Sequence, residues 1–205
     1  MSSIPKANQI KIIITFVIVA IIITLIVIFR EELFKITANI PDNERFFQDY
    51  NKVSVDNVYK YATAEQALEL FKSDEAVIFF GFKECIWCQE YAPILNDYAK
   101  QNNIETIYYV DIKQDRANNS DEYQELIKLL DKYLAADDNG QKRIYVPDVY
   151  FIKAGNIVGH NNDTSTEVGA DIEEYYEQNG TALKEKLDKL FKELDTTCDD
   201  SGKGC

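Results

Sequence analysis

Residues 76–82 read Ala-Val-Ile-Phe-Phe-Gly-Phe, seven in a row with no charge and no alternation, and a Cys-x-x-Cys pair begins three residues later. An unbroken apolar run of this length is what a central strand covered on both faces needs. It commits the chain to a sheet with helices on either side. It also places the two cysteines: Cys85 falls where strand gives way to helix, and Cys88 lies one turn further on. The first turn of a helix has unpaired N–H groups and the positive end of the dipole, and both favour an anion. A Cys85 thiolate would be that anion, its pKa drawn below the free value of about 8.5. Cys88 is then placed to attack a mixed disulfide formed on Cys85. The other readings of the pair are two ordinary cysteines or half of a zinc site. Zinc needs further Cys or His ligands, and only His160, Cys198 and Cys205 remain. No metal and no cofactor is expected.

Around this centre the pattern alternates. A strand is expected over 53–61. Thr63-Ala64-Glu65-Gln66 is a capping box that opens a helix to about residue 72, with Ala67, Leu68 and Phe71 inward. The cysteine helix runs to about residue 101, with Pro93 inside it to remove one backbone hydrogen bond and kink it. A second buried strand is expected over 104–112, a loop over 115–119, and a helix from Ser120 to about 136 with Tyr123, Leu126, Ile127 and Leu130 on its apolar stripe. Segments 149–153 and 156–159 form a hairpin about Ala154-Gly155. Residues 171–178 are one helix, stopped by Asn179-Gly180. Thr181 starts another, with Leu183, Leu187, Leu190, Phe191 and Leu194 at helical spacing. The order predicts an α/β protein with a mixed sheet between two helical layers.

Residues 12–29 carry no charge, and only Thr15 and Thr24 among them are polar. At about 1.5 Å per residue such a helix nearly spans a hydrocarbon core of about 30 Å. A cleaved signal peptide is the alternative, but its apolar region is shorter and ends in small residues. Here Phe29-Arg30-Glu31-Glu32 comes next. The expected organisation is a short cytoplasmic N-terminus (1–11), a transmembrane anchor (12–29), a stalk (30–52), a globular domain (53–195) and a polar tail (196–205). Within the stalk Pro41 precedes a short helix whose Phe46, Phe47 and Tyr50 make one sticky face. Lys6 and Lys11 before the span, with the N-terminal amine, slightly outnumber Arg30 and Lys35 after it. By the positive-inside rule the domain then lies outside. Beyond residue 30 the chain holds 19 basic and 35 acidic residues, which argues against nucleic acid.

Over residues 53–194 the chain resembles the thioredoxin family. The likeness rests on the element order, on Cys85-Ile86-Trp87-Cys88 after a central strand, on Pro93 five residues beyond Cys88, and on Val146-Pro147 before the hairpin. Two of only four prolines fall at these family positions. The resemblance implies a three-layer α/β/α fold in which Pro147 is cis and faces the cysteines. It further implies that the Val146 backbone pairs with a bound thiol substrate, while Ile86 and Trp87 offer an apolar landing surface. The match departs from the pattern in three places. Ile86-Trp87 stands where Gly-Pro is usual. Phe79 stands where thioredoxins carry a buried acid that helps deprotonate the second cysteine. The segment 113–143 is longer than its counterpart. Membrane-anchored thioredoxin-like proteins of Gram-positive bacteria, including bacteriocin transport accessory proteins, are the most similar subgroup, through Cys-x-x-Cys-Gln with an aromatic residue and a proline after it.

The function this implies is a membrane-anchored, extracytoplasmic thiol–disulfide oxidoreductase. Its partners would be protein thiols and disulfides and a membrane electron donor, on a single-pass protein of the cell membrane. The alternative is a non-catalytic accessory module for a transport or secretion partner, with Cys85–Cys88 a static disulfide. Cys198 and Cys205 are a small tail disulfide, a second redox pair on a flexible arm, or free thiols or an intermolecular bond.

Overall fold

The computed structural model describes the backbone of residues 6–37, 40–164 and 170–195. The chain forms two compact units, divided between Pro41 and Asp42.

The first unit is helix α1, Lys6–Thr37. Its described side chains, residues 15–30, are all exposed. Among the described residues no helix is long and apolar enough to cross a membrane. The expected anchor at 12–29 is therefore not established by the structure.

The second unit is built on strands β1 (Tyr59–Tyr61), β2 (Glu75–Gly81), β3 (Ile107–Asp111), β4 (Asp148–Lys153) and β5 (Asn156–Asn161), in the order β1-β3-β2-β4-β5. β1, β3 and β2 are parallel; β4 pairs antiparallel with β2, and β5 antiparallel with β4. The mixed sheet between helical layers expected from the sequence is present. β2 is its middle strand, and the six residues after Glu75 are all buried, which is why that stretch shows no alternation. Successive residues of β2 feed opposite cores. Val77 and Phe79 join Tyr50, Tyr59, Cys88, Tyr91, Tyr109 and Phe151 on one face. Ala76, Ile78 and Phe80 join Phe71, Val110, Leu126, Tyr150 and Ile152 on the other. Helices α4 (Ile86–Gln101) and α7 (Ile172–Asp195) cover the first face; α3 (Ala64–Leu70) and α6 (Asp121–Leu130) cover the second.

Local signals placed several elements. Thr63 Oγ1 accepts the Gln66 N–H at 3.1 Å and Gln66 Oε1 accepts the Thr63 N–H at 2.8 Å, the reciprocal box that starts α3. The β4–β5 turn is closed by Ala154 and Gly155 at φ 49° and 68°, the paired left-handed residues that a tight hairpin needs.

The expected boundaries change in several places, among them the helix expected from Ser120 to about 136, which ends as α6 at Leu130 and gives way to a 3-10 turn, Asp131–Tyr133. The second unit starts at Asp42 and not at residue 53: α2 (Asp42–Asp49), which the sequence assigned to a stalk, belongs to it, with Phe46 and Tyr50 fully buried and Phe47 left exposed. Of the strand expected over 53–61 only Tyr59–Tyr61 forms. The Asn57 amide instead ties a turn by donating to the Ser54 and Asn43 carbonyls at 2.8 and 2.9 Å. The loop expected at 115–119 is mostly helix α5, Lys113–Asn118, ended by Asn119 at φ 51°. Finally, α7 runs unbroken through Asn179-Gly180. A glycine costs a helix about 1 kcal/mol against alanine, and burial of Leu183, Leu187, Phe191 and Leu194 offsets it.

Candidate redox site

Cys85 is the N-cap of α4. Its sulfur accepts the Cys88 N–H at 3.2 Å, so the side chain fills one of the orphan sites of the helix end. The loop before it is held by the Cys85 N–H donating to the Phe82 carbonyl at 2.9 Å. The Gln89 amide adds bonds to the Lys83 and Asp49 carbonyls at 2.7 and 2.8 Å. Opposite lies the β4 entry. The Val146–Pro147 bond is cis, and the Val146 carbonyl accepts from the Cys85 thiol at 3.6 Å. Two stretches 61 residues apart are thus brought together on Cys85. Both cysteines are thiols; Cys85 is 8% exposed and Cys88 wholly buried.

The two sulfurs are electrostatically unequal. Cys85 is drawn below its ordinary pKa, first by a hydrogen bond from the Cys88 thiol, then by the N–H groups of Cys88 and Trp87 and the Arg116 guanidinium, against the opposing effect of burial. Cys88 is pushed well above its ordinary value, first by burial and then by its bond to Cys85. The local charges on the sequence, Lys83, Glu84 and Glu90, are each committed elsewhere: Lys83 pairs with Asp49 at 3.3 Å, Glu84 with Lys113 at 3.0 Å, and Glu90 with Lys52. The cation that reaches Cys85 is Arg116, a residue that no motif of the sequence marks as part of the site. Its guanidinium lies 5.0 Å from the Phe82 ring centre and 3.5 Å from the Ile144 carbonyl, between the two loops that frame the thiol. Only its place in the long 113–143 segment hints at it.

Behind Cys88 lies an aromatic wall. Phe79 is fully buried, its ring centre 5.6 Å from that of Tyr109, 5.9 Å from Tyr59 and 6.1 Å from Tyr91. The Tyr50 hydroxyl donates to the Tyr109 hydroxyl at 3.1 Å. Burial first, then Tyr109 and Cys88, holds the Tyr50 phenol far above its ordinary pKa, so it stays protonated. The acid that bears on Cys88 is Asp111, at the end of β3, itself raised by burial.

Of the expected docking residues, Ile86 is 64% exposed at the mouth of the site. Trp87 packs edge-on against Tyr175 and Tyr176 of α7 at 5.2 and 5.7 Å. Those two tyrosines are anchored to the loop after β5: the Tyr175 hydroxyl donates to the Asp163 carboxylate at 2.8 Å and the Tyr176 hydroxyl to the Asp163 carbonyl at 2.9 Å. So Trp87 is half covered, and Ile86 is the open apolar side chain. Cys198 and Cys205 lie outside the described residues. Among the described residues no group of His, Cys, Asp and Glu is arranged to hold a metal ion.

No family model matches the chain, and no match to it is found among curated proteins. Solved structures similar to it include thioredoxin O1 from Arabidopsis thaliana in the oxidized state, 21% identical, covering 61% of this chain and 97% of that one, with a TM-score of 0.35. Thioredoxin from Trypanosoma brucei brucei is 18% identical, covering 67% of this chain and 92% of that one, with a TM-score of 0.38. Mitochondrial thioredoxin 3 from Saccharomyces cerevisiae, in the oxidized form, is 18% identical, covering 69% of this chain and 98% of that one, with a TM-score of 0.36.

Proposed function

We propose that the protein is a thiol–disulfide oxidoreductase acting on protein disulfides and thiols. The observation that carries this is the placement of Cys85, capping a helix with its sulfur and meeting the Val146 carbonyl beside a cis-proline. In the reducing direction the Cys85 thiolate attacks one sulfur of a substrate disulfide. A Cys85–substrate disulfide forms, and the other substrate sulfur leaves as a thiolate. Cys88 then loses its proton and attacks the Cys85 sulfur, which closes Cys85–Cys88 and releases the second substrate thiolate. Two electrons pass to the substrate, and its two thiolates take up the protons that Cys85 and Cys88 give up. The reverse sequence oxidises a dithiol. Val146 and Pro147 align the substrate chain, and Ile86 and Trp87 supply apolar contact.

The test is exchange between the reduced full-length protein, in detergent, and a model disulfide. Cys85→Ser should abolish the reaction, and Cys88→Ser should halt it at the mixed disulfide, visible as a mass adduct. Unchanged rates in both variants would falsify the proposal. A second reading, a docking module with a static disulfide for a transport partner, draws on Phe79 standing beside Cys88 in place of an acid. A reduction potential below about −300 mV would mark a structural bond and favour it.

We further propose that α1 anchors the domain in the cell membrane and leaves it outside the cytoplasm. The support is a continuous helix of 32 residues that contains the uncharged stretch 12–29, with side chains such as Phe16, Leu25 and Phe29 exposed. The outside position rests on the slight basic excess before the span, and a Gram-positive cell surface on the subgroup the sequence resembles. Removing residues 1–39 should release the protein from membranes into the soluble fraction. A membrane-impermeant thiol reagent should label Cys85 in intact cells; labelling only after lysis places the domain inside. The tail cysteines Cys198 and Cys205 would serve as a small disulfide or a second redox pair, which non-reducing peptide mapping resolves.

A further inference from the structure

The chain has 35 acidic residues and only four arginines. Two of the four, Arg116 and Arg143, line one cavity of about 470 Å³ beside the redox site. Among the described residues neither makes an ion pair with a carboxylate. The two guanidiniums are near enough to repel: after burial, the charge of Arg143 is the largest influence holding Arg116 below its ordinary pKa. The Nε of Arg143 is buried and has no hydrogen-bond partner. The acid on the same cavity wall, Asp137, is committed to the backbone, accepting the N–H groups of Asn139 and Gln141 at 2.9 Å each. Lys142, also on the wall, is turned to the Asp131 and Leu134 carbonyls at 2.7 and 3.0 Å.

A buried polar atom without a partner and two neighbouring cations without a counter-ion are each unfavourable. An acidic chain has carboxylates enough to neutralise them, yet the one on this wall, Asp137, is bound to backbone N–H groups and pairs with neither arginine. A forked guanidinium is suited to carboxylate oxygens, which it binds through two parallel hydrogen bonds. Position ties the pair to the redox chemistry. Arg116 touches the Ile144 carbonyl, and Arg143 is the residue before Ile144, on the segment that leads to Val146 and Pro147. A substrate aligned along Val146 therefore passes close to the cavity. Repulsion from the chain's net charge of −13 does not prevent this, because it is screened beyond about 8 Å at physiological ionic strength.

We propose that Arg116 and Arg143 form an anion-recognition subsite that takes the carboxylates of an acidic peptide segment next to the substrate's cysteine. The proposal rests on the oxidoreductase function proposed for Cys85 and Cys88 and names its substrate class. The subsite transfers no electrons; it holds the peptide while Cys85 and Cys88 react.

The test uses full-length protein in detergent and three synthetic peptides. One is a disulfide dimer with two aspartates after its cysteine, one has two asparagines instead, and one has the aspartates but serine for cysteine. The acidic disulfide should react with a kcat/KM about tenfold above the neutral one, the scale of one charge-assisted hydrogen bond. The difference should lie in KM and shrink with salt. Arg143→Gln and Arg116→Gln should each remove most of it, and Arg143→Lys should keep part of it while guarding against a folding defect. Equal reaction of both disulfides, or a preference that survives both glutamine substitutions, overturns the subsite and leaves the oxidoreductase function standing. Binding of the serine peptide that depends on Arg143, without reaction of either disulfide, supports the subsite and overturns the oxidoreductase function.

Discussion

Phe79 and Phe80 are neighbours on one strand, yet they look into two differently built interiors. On the Phe80 face the chain buries a carboxylate. Asp148, opposite Phe80 in the ladder, is 1% exposed, and it is fully partnered. His160 Nε2 lies 2.5 Å from one oxygen, and the Tyr150 hydroxyl donates to the other at 2.9 Å. On the Phe79 face the chain buries a thiol, Cys88, among tyrosines and phenylalanines; among the described residues Asp148 is the only carboxylate so fully buried. The difference shows that this sheet can hold a buried acid where two partners meet it. The acid that bears on Cys88 is Asp111, at the end of β3 and only partly buried. Burial, and then the bond to Cys85, hold the proton of Cys88 tightly.

The severest way to break this contrast is to put a carboxylate on the redox face. Phe79→Asp removes a packed ring, worth about 3–5 kcal/mol in a core, and leaves a charge with no partner there. It should lower stability by about 5 kcal/mol or more in urea unfolding. A loss below about 1 kcal/mol would mean the aromatic wall does not set the environment of Cys88.

The converse change empties the acid from the other face. Asp148→Ala should cost about 3–5 kcal/mol, since it strands His160 and Tyr150, while Asp148→Asn should cost much less. The pH dependence sharpens the point. Burial raises the native pKa of Asp148 above its ordinary value, more than His160 and Tyr150 lower it. The native state then holds this proton more tightly than the unfolded chain does. Its stabilising contribution is complete below the unfolded pKa of about 4 and is lost as pH rises through the higher native value. Asp111 shifts in the same direction and adds to the slope. The urea midpoint should carry a downward component above about pH 4 that Asp148→Asn weakens. An identical pH profile in that variant would mean Asp148 is ionised without penalty.

Smaller effects test the redox face itself. Tyr50→Phe removes the donor to Tyr109 and should cost about 1 kcal/mol, with the thiols still reactive. A change of several kcal/mol would show the hydroxyl pair to be a structural keystone. Smallest in stability is the inequality of the two sulfurs. Alkylation of Cys85 should be half-maximal at a pH below that of a free cysteine, about 8.5. Cys88→Ala, which removes the largest influence lowering it, should move the midpoint upward. A downward or absent shift would show that Arg116 and the helix end dominate instead.

What was legible in the sequence, and what was not, depends on where the information sits. Residues 76–82 announced a strand covered on both faces because burial on both sides suppresses alternation. Thr63 with Gln66, and Ala154 with Gly155, mark a helix start and a turn through chemistry confined to a few residues. Cys85 at a helix start was readable for the same reason; that its sulfur caps the helix was not. The features that escaped depend on distant partners. Phe46 and Tyr50 look like stalk residues until Tyr59 and Tyr109 stack on them at 3.8–5.5 Å. Arg116 is an ordinary surface arginine until Phe82 and Ile144 close around it. The charges nearest Cys85 in sequence, Lys83 and Glu84, lost their influence because Asp49 and Lys113 reach them across the fold.

The unbroken helix α7 also acts as a ruler. Its start is fixed at the redox site, where Tyr175 and Tyr176 meet Trp87, and its far end is tied to the hairpin strand, Lys153 donating to the Leu194 carbonyl at 2.8 Å. From Tyr175 to Asp195 is 20 residues, about 30 Å at 1.5 Å each. A helix of this length holds the Trp87 side of the redox site and the β4–β5 hairpin at one fixed separation, so a displacement at either end is carried to the other.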